Sequence, residues 1–223
     1  MRLTEHVHHA LKNSVHAGST VIDATAGNGY DSLLLAQLVG PKGRLIAIDI
    51  QPAAIESTKS RLETADLADR CELIRGDHSM VLRQLAQEHA GAIAAITFNL
   101  GYLPGGDKSL ITSPATTLAA LDAACELLAR DGILSVTAYR GHAGGMAESE
   151  QIGSWMHRLP KSTWRVETQE PDPKGRKSIP PILWIAQKRS MRMSPTSVKL
   201  SNGMGIRFSS LHPTRLRPRR AAC

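Results

Sequence analysis

The 223-residue chain is 42% hydrophobic but only 4% aromatic, enough for one sizeable α/β domain with an aliphatic core and too short for two ordinary domains. No apolar run approaches a membrane span, no apolar stretch follows Met1-Arg2-Leu3-Thr4-Glu5-His6 to suggest a secretory signal, and the three scattered cysteines Cys71, Cys125 and Cys223 argue against a disulfide framework or a metal site and for a reducing cytoplasm. The net charge of +7 is uneven: seven basic residues and no acidic ones follow Ser190, leaving 20 Lys and Arg against 20 Asp and Glu in residues 1–189, so a nucleic-acid partner cannot be inferred from the charge of the domain itself.

In chain order, apolar runs at 20–24, 44–49, 71–75, 93–99, 132–139, 164–169 and 182–187 predict seven strands. Helical patterns at 31–39, 52–64, 79–88, 115–128 and 146–158 fall between them. Pro52 suits a first helical turn, where its missing N–H costs nothing, and Gly40-Pro41 ends the preceding helix. Gly132, after Arg130-Asp131, reads as a turn before a strand. The alternation implies an α/β, Rossmann-like, seven-stranded and mostly parallel sheet with helices on both faces. No clear helix separates the last two strands, which predicts a terminal antiparallel hairpin. Residues 190–223 carry Ser, Pro, Gly and Arg without sustained period and read as a basic, disordered tail after one domain of residues 1–189.

The segment Asp23-Ala24-Thr25-Ala26-Gly27-Asn28-Gly29 joins the first strand to a helix. Gly27 and Gly29 allow a sharp turn and close approach of backbone to a ligand. Asp49 ends the second strand about twenty residues later, where a carboxylate can accept ribose hydroxyls. A dinucleotide fingerprint expects a third glycine where this chain has Ser32, and rarely an acidic residue four positions before the first glycine. Asp23 stands there, and a strand-ending Asp followed by x-x-x-Gly-x-Gly points to S-adenosylmethionine. On this reading Asp23 orients the methionine amino end of the cofactor. The competing reading is a tight structural turn in another doubly wound enzyme, which leaves the two strand-end carboxylates unexplained. Asp77 and His78, after the third strand, occupy the adenine-contacting loop of such a fold; Asp77 equally suits an N-cap of the next helix.

The fourth strand ends in Asn99-Leu100-Gly101-Tyr102-Leu103-Pro104-Gly105-Gly106-Asp107-Lys108, which resembles the Asn-Pro-Pro-Tyr element of amino-methyltransferases. Methyl transfer from a sulfonium is an in-line displacement, so an amine lone pair must be held on the sulfur–carbon axis. The Asn99 amide oxygen can accept the amine's hydrogens, and Tyr102 can flank the methyl group. After the fifth strand comes Tyr139-Arg140-Gly141-His142-Ala143-Gly144-Gly145. His142 is the candidate proton acceptor, against a reading in which it only hydrogen-bonds its loop, and Tyr139 can stack on a base. Lys108 and Thr112 are candidates for phosphate contact, or are simply solvated.

Together, Asp23–Asp31, Asp49-Ile50-Gln51, Gly76-Asp77-His78, the Phe98-to-Lys108 string, Thr116-Thr117 and Gly141-His142-x-Gly-Gly resemble the YtqB/MnmM family of class I methyltransferases. The resemblance covers roughly residues 5–188. It implies cofactor contacts from Asp23, Thr25, Ala26, Gly27, Asn28, Gly29, Asp31, Asp49, Gln51, Asp77, His78 and Asn99. Catalytic roles fall to Asn99, Tyr102 and His142, and substrate contacts to Leu103, Gly106, Asp107, Lys108, Tyr139 and Gly144. It further implies methylation of the exocyclic amine of 5-aminomethyl-2-thiouridine in the anticodon region of tRNA, and a homodimer, with no metal and no membrane. Two places depart from the family's pattern: Arg140 replaces a usual His, and Gln169-Glu170-Pro171-Asp172-Pro173-Lys174 replaces an Asn-Gln element. Two other readings stay open on the residues alone: another acceptor such as rRNA or a different amine, and a non-catalytic RNA-binding protein.

Overall fold

A computed structural model describes residues 3–101, 114–171 and 179–189. The chain divides into two units, Met1–Met191 and Arg192–Cys223, and every described residue lies in the first. The expected tail and the residues 102–113 and 172–178 lie outside the described residues.

The elements run α1 (Leu3–Ser14), β1 (Thr20–Asp23), α2 (Tyr30–Val39), β2 (Arg44–Asp49), α3 (Pro52–Thr64), a 3₁₀ turn (Ala68–Arg70), β3 (Cys71–Arg75), α4 (His78–His89), β4 (Ile93–Leu100), α5 (Pro114–Leu127), β5 (Leu128–Ala138), α6 (Gly145–Arg158), β6 (Trp164–Gln169) and β7 (Ile182–Lys188). One seven-stranded sheet has the order β3-β2-β1-β4-β5-β7-β6. The first five strands pair in parallel, and β7 is inserted antiparallel between β5 and β6. The expected α/β, mostly parallel sheet with its terminal antiparallel hairpin is therefore the observed one.

The inner strands are largely apolar because both faces are covered, and their two-residue period distributes each strand between two cores; the edge strand β6 is exposed along most of its length. Ile22, Ile46, Ile96 and Leu134 face a cluster closed by α4, α5 and α6, which includes Phe98, Trp155 and Trp184. Their neighbours Val21, Leu45, Ala95 and Ile133 face the opposite cluster with α1 and α2. Because β1 pairs with β2 on one side and β4 on the other, the chain reverses its direction of winding there. A crevice opens at the carboxyl ends of those strands.

Two expectations change. The predicted elements begin only at residue 20, yet Leu3–Ser14 forms α1. Leu3, Val7, Leu11 and Val15 recur every four residues, and Val7, Leu11 and Val15 are buried, so the signal was a helical stripe. The fifth strand begins at Leu128, directly after α5, instead of after a turn at Gly132. The chain turns inside the strand instead: Asp131 is left-handed at φ 62°. A Cβ at Gly132 would lie 2.8 Å from the Ala129 carbonyl.

Candidate active site

At the carboxyl ends of the parallel strands lies a cavity of about 820 Å³, a size that suits a small organic ligand. Its β1–β3 end is lined by Ala24, Thr25, Ala26, Gly27, Asn28, Asp49, Ile50, Gln51, Gly76, Asp77 and His78. The β4–β5 end is lined by Asn99, Gly101, Tyr139, Arg140, Gly141 and His142, and Tyr30, Asp31, Thr4, Thr116, Ile179 and Pro181 complete the wall.

The glycine turn is built from behind. Gly27, left-handed at φ 54°, donates its N–H to Asp49 Oδ2 at 2.9 Å, so the turn and the end of β2 hold each other. From α3, Thr58 Oγ1 donates to the Gly27 carbonyl at 3.2 Å and Arg61 Nε to the Asn28 carbonyl at 2.7 Å. The Arg61 guanidinium also lies 3.8 Å over the Tyr30 ring, a cation–π contact. Thr58 and Arg61 escaped sequence reasoning; their spacing of three puts them on one face of α3, but nothing local pairs that face with the glycine turn. Gly29, expected among the cofactor contacts, is placed against α3: a Cβ there would lie 2.8 Å from Thr58 Cα, and its φ of 77° is left-handed, so both packing and backbone require glycine.

Asp23 also differs from its expected role. It is fully buried and stands behind the cavity wall. Ser32 Oγ donates to its Oδ2 at 2.6 Å, while the Thr25 N–H and Thr97 Oγ1 donate to Oδ1 at 3.3 and 3.4 Å. Burial, then the nearby Asp31 charge, push the Asp23 carboxyl up to about 7 despite the Ser32 hydrogen bond. The carboxylate of this segment that reaches the cavity is Asp31. Ser32, read only as a missing glycine, is the hydroxyl that satisfies Asp23.

Asp49 accepts Gly27 N–H on one oxygen and Gln51 N–H on the other, both at 2.9 Å, which aims the carboxylate across the crevice. Each oxygen keeps a second lone pair. Asp77 is the N-cap of α4, accepting from the N–H groups of Ser79 and Met80. Against the desolvation of its part-buried site, the Ser79 hydrogen bonds hold its carboxyl below the usual range. Cap and cavity lining thus coexist at Asp77. His78 is edge-on to Phe98, with centroids 5.8 Å apart. Burial lowers its pKa against the pull of Asp77, which favours the neutral imidazole. Its Nε2 is buried without a hydrogen-bond partner among the described residues. A buried polar atom left in this condition inside a ligand-sized cavity fits a group that arrives with the ligand.

At the other end, the Asn99 N–H donates to Thr25 Oγ1 at 2.6 Å, and Asn99 Nδ2 donates to Asp31 Oδ2 at 2.7 Å. The carboxylate can only accept, so this bond sets the amide orientation and leaves Asn99 Oδ1 as the acceptor end. His8 Nε2 lies 3.4 Å from the other Asp31 oxygen, which brings the unforeseen α1 into the site. His142 Nδ1 donates to the Ala143 carbonyl at 3.0 Å, which makes Nε2 the basic nitrogen of the neutral ring. The backbone beside it is glycine by necessity: a Cβ at Gly145 would lie 2.9 Å from His142 Nε2 and 2.8 Å from the Tyr139 carbonyl. Gly144, expected at the substrate, is instead the left-handed N-cap of α6 at φ 81° and does not line the cavity. Tyr139 does, with 47% of its surface exposed. Tyr102, Leu103, Gly106, Asp107 and Lys108 lie outside the described residues. The two departures noted in the sequence meet in space, since Arg140 Nη1 pairs with Glu170 Oε1 at 2.6 Å.

Comparison with known proteins places these features in a family. Residues 45–187 match the family described as "Putative rRNA methylase". The chain is 40% identical over 171 residues to a tRNA (mnm(5)s(2)U34)-methyltransferase, chloroplastic, of Arabidopsis thaliana; the match takes in 73% of this chain and 62% of that protein's length. Among solved structures, a "putative rRNA-methylase" from Clostridium thermocellum is 37% identical with a TM-score of 0.76, covering 83% of this chain and 96% of that one. A "putative methyltransferase" from Streptococcus mutans in complex with SAH is 31% identical with a TM-score of 0.74, covering 84% and 98%.

Proposed function

The chain belongs to the "Putative rRNA methylase" family, and from that premise we propose that it is an S-adenosylmethionine-dependent N-methyltransferase acting on the aminomethyl group of 5-aminomethyl-2-thiouridine at the tRNA wobble position. The observation that carries the acceptor class is the Asn99 amide, pinned through its Nδ2 to Asp31, which presents an oxygen at the end of β4 to accept hydrogens from an amine. The tRNA methyltransferase named for the Arabidopsis relative supports the choice among amines.

The cofactor supplies an electrophilic methyl group on a sulfonium. Asp49 accepts ribose hydroxyls, and the neutral His78 with Asp77 contacts the adenine. Asp31, which lines the cavity where Asp23 does not, holds the cationic methionine end. Asn99 orients the amine so that its lone pair lies on the line of displacement. Tyr139 flanks the base. His142 Nε2 takes the proton that the amine loses as it becomes methylated. The protein works on the anticodon region of tRNA, in the cytoplasm, as a homodimer.

Nucleoside mass spectrometry of tRNA from a strain lacking this protein tests the reading. The aminomethyl nucleoside should accumulate at the expense of its N-methyl product. An unchanged methylaminomethyl-thiouridine pool sinks the tRNA assignment, and loss of a methyl group from rRNA instead would move the acceptor there.

A further inference from the structure

Arg140 stands where β5 leaves the sheet. It lines the acceptor end of the cavity, and its side chain is only 10% exposed. Its Nε donates to the Pro180 carbonyl at 2.8 Å, and its Nη1 to Glu170 Oε1 at 2.6 Å. These partners lie at opposite ends of the connection between β6 and β7. One guanidinium therefore fastens both ends of that connection to the exit of β5. Ile179 and Pro181, on either side of the Pro180 carbonyl, form part of the cavity wall.

The arrangement differs from an ordinary surface ion pair. In Arg44–Glu72 both side chains are about half exposed, at 54% and 43%, and such pairs contribute little. Arg140 is largely buried, uses two donors of a rigid fork, and spends one of them on a backbone carbonyl of the wall itself. A lysine has no second donor at the geometry required to hold both partners.

We propose that Arg140 is a positioning residue that sets the wall formed by Ile179 and Pro181 against the acceptor, with Glu170 holding its guanidinium in place. What enters the pocket rests on the tRNA reading above; the wall does not. Arg140→Ala and Glu170→Ala should each raise the KM for aminomethyl-thiouridine tRNA about tenfold, as expected when a pocket wall loses its fixed position. kcat and S-adenosylmethionine affinity should change by less than about threefold. Arg140→Lys should behave like Arg140→Ala, and the double variant should be no worse than Arg140→Ala alone, because both substitutions remove one shared contact.

Glu170 is half exposed, so its variant keeps the test open where an Arg140 variant fails to fold. Site-resolved exchange of the Ile179 and Ile182 amides, which flank the Pro180-Pro181 pair, reads the wall by NMR without any acceptor. It should accelerate in Glu170→Ala and stay unchanged in Arg44→Ala. A wild-type protein inactive on that tRNA would sink the acceptor reading, and exchange alone would then decide the wall. Unchanged exchange in Glu170→Ala overturns the proposal, as does a lowered melting temperature with an unchanged acceptor KM.

Discussion

Asn99 Nδ2 donates to Asp31 Oδ2 across 2.7 Å, so the end of β4 is tied to the first turn of α2. The two residues are 68 positions apart and meet because β1, which feeds α2, pairs directly with β4. The bond selects one of two amide orientations of Asn99. Replacing Asp31 by Ala frees the amide to rotate while leaving its atoms present. Single-turnover rates with saturating cofactor should fall by about 10²-fold, the scale of a misaligned reacting group. Rates equal to wild type would show that the amide does not orient the acceptor.

Asp49 and His142 should separate binding from chemistry. Asp49→Ala removes a carboxylate that holds Gly27 and Gln51 and, on the proposed function, accepts the ribose. Calorimetry should show S-adenosylmethionine affinity lowered by roughly 10- to 100-fold, the worth of charge-assisted hydrogen bonds. His142→Ala should instead reduce turnover by about 10²-fold or more with little change in that affinity, as loss of a general base does. Equal effects of both variants on affinity would remove His142 from the chemistry.

Asp23 should make the protein's stability fall with rising pH. Its carboxyl is raised to about 7 in the fold from an ordinary 3.8, so between those values the native state keeps a proton that the unfolded chain has lost. Below this window both states are protonated and the residue is neutral in its effect. Through the window stability declines, by a few kcal/mol in order of magnitude, and it stays reduced above about pH 7. Denaturant titrations across the window should show this slope, and Asp23→Asn should flatten it. A cationic ligand nearby favours the ionised form. The affinity for S-adenosylmethionine should therefore rise as pH increases toward 7 and level off above it, more than that for S-adenosylhomocysteine, whose sulfur is uncharged. Identical pH profiles for the two ligands would contradict this coupling.

Helix α1 is an integral part of the fold. Leu11 is fully buried in the cluster shared with α2, β1 and β2. Leu11→Ala should destabilise the protein by about 2–5 kcal/mol, measured by chemical denaturation. Because α1 also carries His8 to Asp31, the same variant should weaken activity at temperatures where the protein remains folded. A change below about 1 kcal/mol would mean that the helix is only loosely docked.

The sequence by itself determined the elements whose signals are local. Alternating and continuous apolar runs marked all seven strands. Gly27 and the carboxylates Asp49 and Asp77 mark a crevice at the strand ends, and Asn99 and His142 stand together at its β4–β5 end. These were legible because strand period, turn chemistry and capping act within a few residues. Tertiary structure alone decided which carboxylate meets the cavity. Asp23 and Asp31 are equally acidic in sequence, but Ser32 and Thr97 enclose one while the other stays open toward Asn99. It alone also brought Thr58 and Arg61 under the glycine turn, and joined Arg140 to Glu170 and Pro180. Burial and hydrogen-bond partnership between distant segments depend on sheet order and register, and no local pattern in the chain encodes them.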